Sequence, residues 1–259
     1  MSGDLFSVAG KSALVTGGAQ GLGRMIAEAL LRAGATVAIT SRTADRCRAA
    51  AAEMSALGRC IALPADLSSP VAAIDLAKRF GDAAEDCHIL VNNAGKTWGA
   101  PIETFPDDAW PTVMAVNVQA PFALIRELLP QLTQTASADE PARIVNVGSI
   151  AGMRPERLSA YSYAASKAAM HMLTRDLAGD LAGRNITVNA VVPGFFPTKM
   201  TAHMRTKDTD ESALLSRIPL GRLGRPDDIG GTVVFLCSRA GSYLTGAQIP
   251  IDGGILGCG

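Results

Sequence analysis

The chain has 259 residues, 48% of them hydrophobic, which is ample for a sizeable core and excludes a disordered or fibrous protein. Lys+Arg and Asp+Glu are equal at 24 each, so no net field draws the protein onto nucleic acid or anionic lipid, and any bound phosphate must be held by a local site. Cys47, Cys60, Cys87, Cys237 and Cys258 are odd in number and never form a CxxC pair, which argues against a disulfide framework and against a zinc site. With no basic-then-apolar leader and no run of about 18 apolar residues, the expectation is a soluble, cytoplasmic protein that binds neither membrane nor metal.

In chain order, short runs rich in Val, Ile and Leu predict strands at Ser12–Thr16, Thr36–Thr40, Cys60–Pro64, Ile89–Asn92, Arg143–Val147, Thr187–Val192 and Ala247–Ile251. Helices are predicted between them: from Gly21 to Gly34, then over Ala44–Leu57, Pro70–Phe80, Pro106–Leu132, Ser159–Gly183 and Pro226–Ser238. This alternation predicts a single α/β domain over 1–259, built on one doubly wound sheet of seven parallel strands with right-handed crossovers. Residues 133–142 read as a polar surface loop. A longer irregular stretch, 194–215, reads as a substrate lid.

Thr16-Gly17-Gly18-Ala19-Gln20-Gly21-Leu22-Gly23 stands between the first strand and the first helix. Glycines there let the backbone turn tightly against a pyrophosphate, whose charge suits the positive end of the helix that follows. The spacing is GxxxGxG rather than GxGxxG, so a purely structural turn is a competing reading. The second predicted strand ends in Thr40-Ser41-Arg42, where dinucleotide-binding folds often carry a carboxylate for the adenosine ribose. A carboxylate would repel a 2′-phosphate, whereas Arg42 can hold one, which favours NADP(H) over NAD(H). The plainer alternative for Arg42 is a solvated cation at a helix start. Asp66, followed by Leu67 past the third strand, either accepts from an adenine amino group or caps the next helix.

Tyr163 and Lys167 lie four residues apart in a predicted helix and therefore share a face. A neighbouring ammonium favours the phenolate, so such a tyrosine could exchange a proton with a carbonyl/alcohol pair, the proton half of a hydride transfer. Alone, YxxxK is as readily a packed tyrosine beside a solvated lysine. Asn146-Val147-Gly148-Ser149, Asn92-Asn93-Ala94-Gly95 and Pro193-Gly194 also end predicted strands, so their residues converge on the edge where open α/β sheets bind ligands.

The order and spacing of TGGAQGLG, NNAG, Asn117 within a long helix, the GS of Gly148-Ser149, YAASK, PG with Thr198 beyond it, and Asp252-Gly253-Gly254 resemble the short-chain dehydrogenase/reductase family over nearly the whole chain. That resemblance implies a Rossmann-type fold, Tyr163 as acid/base, Lys167 lowering its pKa and holding the nicotinamide ribose, Ser149 bonding the substrate oxygen, and Asn117 supporting a water-linked proton path. It implies a pyrophosphate on the backbone around Gly17, Gly18, Gln20, Gly21, Leu22 and Gly23. Asn93, Ala94 and Gly95 would line the adenosine and ribose, Thr198 with Pro193 and Gly194 would meet the nicotinamide amide, and the protein would be a homotetramer. KTWGAPIE, TASADEPARIVNVGS and IPIDGG are similar to NADPH-dependent 3-oxoacyl reductases, which implies a 3-oxoacyl thioester or related ketone. Gln20 stands where many NADP-using relatives place a second base, and Asp139-Glu140 stands where carrier-docking reductases place an arginine, although Arg184 fits another docking position. Two alternatives remain: an NAD-dependent dehydrogenase of a sugar, polyol or cyclic alcohol, and a catalytically silent nicotinamide-binding regulatory protein. Phe195, Phe196, Met200 and Met204 read equally as acyl-pocket lining or as packing, and His171 and His203 have no ligand cluster near them.

Overall fold

Strands that are apolar on both faces need cover on both sides, and the chain supplies it with one sheet between two layers of helices. The computed structural model describes residues 5–84, 86–156, 158–198 and 211–258. The strands are β1 (Ser12–Val15), β2 (Thr36–Ile39), β3 (Cys60–Ala62), β4 (Ile89–Asn92), β5 (Ala142–Val147), β6 (Ile186–Pro193) and β7 (Gln248–Ile251). They form a seven-stranded sheet in the order β3-β2-β1-β4-β5-β6-β7, and every pairing is parallel. This is a doubly wound Rossmann-type α/β fold. The order reverses between β1 and β4, which opens a crevice at the carboxyl ends of those strands.

The helices are α1 (Gly21–Arg32), α2 (Ala44–Met54), α3 (Pro70–Ala84), α4 (Ala109–Met114), α5 (Ala120–Thr135), α6 (Tyr161–Ala182), α7 (Glu211–Leu215) and α8 (Pro226–Cys237). One face of the sheet packs Ile39 and Val91 under Ile26, Leu30, Met54 and Val233. The other packs Leu14, Leu90 and Ile144 under Phe80, Leu124, Leu128 and Leu181. All residues of β5 and β6 are buried. A chain of buried amides crosses this core: Asn92 Nδ2 donates to Asn146 Oδ1 at 2.9 Å, and Asn146 Nδ2 donates to Thr174 Oγ1 at 2.9 Å. It ties the ends of β4 and β5 to α6, so the strand ends that carry the site keep one register.

The strands fall within a residue or two of their predicted bounds, and the helices depart more. The continuous helix expected over Pro106–Leu132 is α4, then a π-helical turn at Ala115–Gln119, then α5 running on to Thr135. The predicted loop at 133–142 is correspondingly shorter. The helix expected from Ser159 starts at Tyr161, because Ser159 has φ +49°, outside the right-handed helical region. Of the predicted lid, Met200, His203 and Met204 lie outside the described residues.

Candidate active site

The carboxyl ends of the central strands open on a cavity of about 670 Å³, a size suited to a cofactor and a small substrate. Its nucleotide end is built on the turn after β1. Gly17 adopts φ +67° and donates its N–H to Thr40 Oγ1 at 3.1 Å, and a Cβ there would press on Asn93 and Ala94 at 3.0–3.1 Å. Thr16 Oγ1 accepts from the N–H groups of Asn93 and Ala94, both at 2.9 Å, while Asn93 Nδ2 donates to Thr16 O at 2.8 Å. The Asn93 side chain thus braces the turn. Gly17, Gln20, Gly21 and Leu22 line the cavity; Gly18 and Gly23 do not. Those two are packing glycines: side chains there would strike Ile39 and Asn93 respectively. α1 begins at Gly21 with no side-chain cap, leaving the donors of its first turn for an anion.

Ser41 and Arg42 line the wall beyond this turn, with no carboxylate at the end of β2. Arg42 is exposed and has no ion-pair partner among the described residues. The sequence reading missed a second cation. Arg46, in the first turn of α2, also lines the cavity and donates from Nη1 to Gln20 Oε1 at 3.2 Å. The base that the glycine turn lacks therefore comes from the next helix and holds the residue standing in its place. The available signal was the predicted helix start at Ala44, which sets position 46 one turn from Arg42. Asp66 accepts from Ser68 N–H at 3.1 Å in a local turn and, with Leu67, remains on the cavity wall. A glycine cradle, a free helix N-terminus and two guanidinium groups with no ion pair among the described residues fit a dinucleotide that bears a 2′-phosphate. Arg46→Ala is expected to weaken NADPH binding about tenfold, the worth of one charge-assisted hydrogen bond, and to leave NADH binding unchanged, as read by nucleotide fluorescence titration.

At the other end, Ser149, Tyr163, Lys167, Pro193, Gly194 and Thr198 share the cavity wall with Ala94 and Gly95. Lys167, 5% exposed, donates from Nζ to Val147 O at 2.7 Å. Burial lowers its pKa to about 8. Its ammonium lies 5.6 Å from the centroid of the Tyr163 ring. Burial pushes the half-buried Tyr163 phenol above its ordinary value, and a hydrogen bond with the Ser149 side chain pulls less strongly the other way. Desolvation is the largest effect on the phenol and raises it, where the sequence led to the expectation of a lowering by Lys167. Ser149 Oγ also accepts from Ala151 N–H at 3.2 Å, which caps a short 3-10 turn, Ile150–Gly152.

Asn117 sits in the π-helical turn, behind the cavity wall and 2% exposed. Its Nδ2 donates to Lys96 O at 2.9 Å and to Ser166 Oγ at 2.8 Å, and its Oδ1 accepts from Lys96 N–H at 2.8 Å. Ser166 Oγ donates in turn to Tyr163 O at 2.7 Å. Asn117 joins the loop after β4 to the first turns of α6, in a backbone register that a regular α-helix would not provide.

His171, one turn beyond Lys167, is 4% exposed, and its Nε2 accepts from Ser149 N–H at 3.4 Å. Burial and the nearby Lys167 charge depress its pKa to about 4. A histidine kept neutral in the fold contributes stability above its unfolded pKa of about 6.5 and loses that contribution as pH falls toward the folded value. Urea unfolding should therefore show stability falling between about pH 6.5 and pH 4 by up to about 3 kcal/mol on this account, with the decline reduced in His171→Leu.

The family model described as enoyl-(acyl carrier protein) reductase matches residues 17–256. A fold of this topology with Ser149, Tyr163 and Lys167 on one cavity is that of a nicotinamide-dependent oxidoreductase, and the chain belongs to the short-chain dehydrogenase/reductase family. It is 48% identical over 249 residues to the rhamnolipids biosynthesis 3-oxoacyl-[acyl-carrier-protein] reductase of Pseudomonas aeruginosa, covering 96% of this chain and 97% of that one. It is 37% identical to the 2-dehydro-3-deoxy-D-gluconate 5-dehydrogenase of Bacillus subtilis, covering 98% and 97%. The solved Pseudomonas aeruginosa RhlG/NADP active-site complex superposes with a TM-score of 0.94 at 47% identity, covering 97% of this chain and 98% of that one.

Proposed function

We propose that the protein is an NADP(H)-dependent reductase of ketones, with 3-oxoacyl thioesters as its substrate class. The observation that carries the reading is the placement of Tyr163, with Ser149 and Lys167, at one end of a cavity whose other end presents Arg42 and Arg46. The Pseudomonas aeruginosa relatives, one a 3-oxoacyl reductase and one solved as a complex with NADP, support it. The unopposed guanidinium pair favours NADP(H) over the NAD(H) of the sugar, polyol or cyclic-alcohol alternative, and an intact acid with its supporting groups disfavours a silent regulatory protein.

The backbone of the glycine turn and the start of α1 would hold the pyrophosphate, and Arg42 with Arg46 the 2′-phosphate. Lys167 would hold the ribose hydroxyls, and Thr198 with the Pro193–Gly194 backbone the amide. NADP(H), when bound, supplies the hydride. The chain supplies the proton. As charge develops on the carbonyl oxygen, the Ser149 hydroxyl donates a hydrogen bond to it and the Tyr163 phenol releases its proton to it. Lys167 has one of its three N–H bonds fixed on Val147 O, which leaves two further donors for the ribose, and its positive charge favours the phenolate left behind. Asn117 positions the loop around Gly95 against α6 through its bonds to Lys96 and Ser166.

The exposed Trp110, Phe122 and Met172 on α4, α5 and α6 are suited to burial between copies, which supports a homotetramer built on the long helices. Five unpaired cysteines, and no membrane-length apolar helix among the described residues, support a cytoplasmic setting. Tyr163→Phe removes the acid while keeping the ring. Turnover of acetoacetyl or longer 3-oxoacyl thioesters with NADPH is expected to fall about a thousandfold in kcat with NADPH affinity retained, whereas an unaffected rate would refute the mechanism.

A further inference from the structure

A main-chain N–H that runs past the end of a strand loses its sheet partner and needs another where it is buried. Gly148, the first residue beyond β5, still donates to Val191 O at 2.8 Å. Ser149 is next, 9% exposed, and the partner of its N–H is a side chain: His171 Nε2 accepts at 3.4 Å. The imidazole fits there because residue 148 is a glycine, whose Cβ would otherwise run into Nε2. His171 is itself fixed to the sheet independently of its ring, since its main-chain carbonyl accepts from Gln248 Nε2 of β7 at 3.1 Å. The turn that Ser149 heads is closed internally. Gly152 N–H donates to Ser149 O at 3.0 Å, and Ser149 Oγ accepts from Ala151 N–H at 3.2 Å. The hydroxyl therefore moves with the turn, and the imidazole ties the head of that turn to α6.

An imidazole can play this part only as an acceptor, with Nε2 free of a proton; an imidazolium would set one donor against another. Burial and, after it, the Lys167 charge disfavour the protonated ring, Arg175 adds to them, and the Gly152 main chain acts the other way. His171 does not line the cavity, so any effect on the reaction must pass through Ser149. We propose that His171 is a positioning residue for the reduction: by accepting the Ser149 N–H it fixes the turn that carries the Ser149 hydroxyl, and with it the point where that hydroxyl meets the carbonyl oxygen. The proposal rests on the reductase reading of the same cavity.

The test is a double-substitution cycle read by single-turnover reduction of 3-oxohexanoyl N-acetylcysteamine thioester with NADPH. His171→Leu removes the acceptor and keeps a side chain of similar bulk; it is expected to slow reduction about tenfold with NADPH affinity retained. His171→Gln keeps an acceptor oxygen on a chain of comparable reach and is expected to recover most of that loss. In a Ser149→Ala background the hydroxyl to be positioned is gone, and His171→Leu is expected to cost less than about twofold. The same cost in both backgrounds, or an equal loss in His171→Leu and His171→Gln, would make the residue a packing element alone and overturn the proposal. So would a His171→Leu protein as fast as the wild type. Failure of the wild type to reduce the thioester would overturn the reductase reading itself.

Discussion

The hydrogen bond from the Lys167 ammonium to the last carbonyl of β5 sets the position of everything else in the site. A buried ammonium is costly unless its donors find partners, so the fold must bring a carbonyl to it, and Val147 O at 2.7 Å is that partner. α6 can settle to this depth because the turn beneath it is narrow: a Cβ on Gly152 would stand 2.7 Å from the main chain of Lys167. The buried amide chain through Asn92, Asn146 and Thr174 then holds β4, β5 and α6 together from below. Loss of any of these contacts would shift the tyrosine relative to the strand ends.

The same depth of docking determines the chemistry. Carried down with α6, the Tyr163 phenol loses water, and its pKa moves up rather than down. A protonated phenol on the same cavity wall as a serine hydroxyl can give a proton, which suits reduction of a carbonyl. The ammonium beside it matters afterwards, when the phenolate forms and a positive charge is needed nearby. Burial and charge therefore act at different stages: the first raises the phenol's pKa, and the second stabilises the phenolate after the proton has left.

Much of this was legible in the sequence, for reasons that differ by element. Parallel strands buried on both faces must be continuous apolar runs, so β4, β5 and β6 could be read almost directly. Tyr163, Lys167, Ser149 and the glycine turn were legible because they fall at strand ends or four apart on one helix. The π-helical turn at Ala115–Gln119 was not, since no residue type marks that register, and with it went the bracing role of Asn117. Arg46 looked like one cation of a solvated helix, and only the packing of α2 against the glycine turn brings it to Gln20. Spacing reveals the Lys167 charge near Tyr163 but not the loss of solvent, which raises the phenol and is the largest effect on it.

Burial raises the Tyr163 phenol above its ordinary value in the cofactor-free protein. The most direct measurement of this effect is an ultraviolet difference titration, in which the tyrosinate absorbance of the wild type less that of a variant lacking only this phenol isolates a single ionisation. This ionisation is expected to lie above the ordinary tyrosine value of about 10. A midpoint below about 8 would mean that the Lys167 charge governs the phenol after all, and would contradict the account.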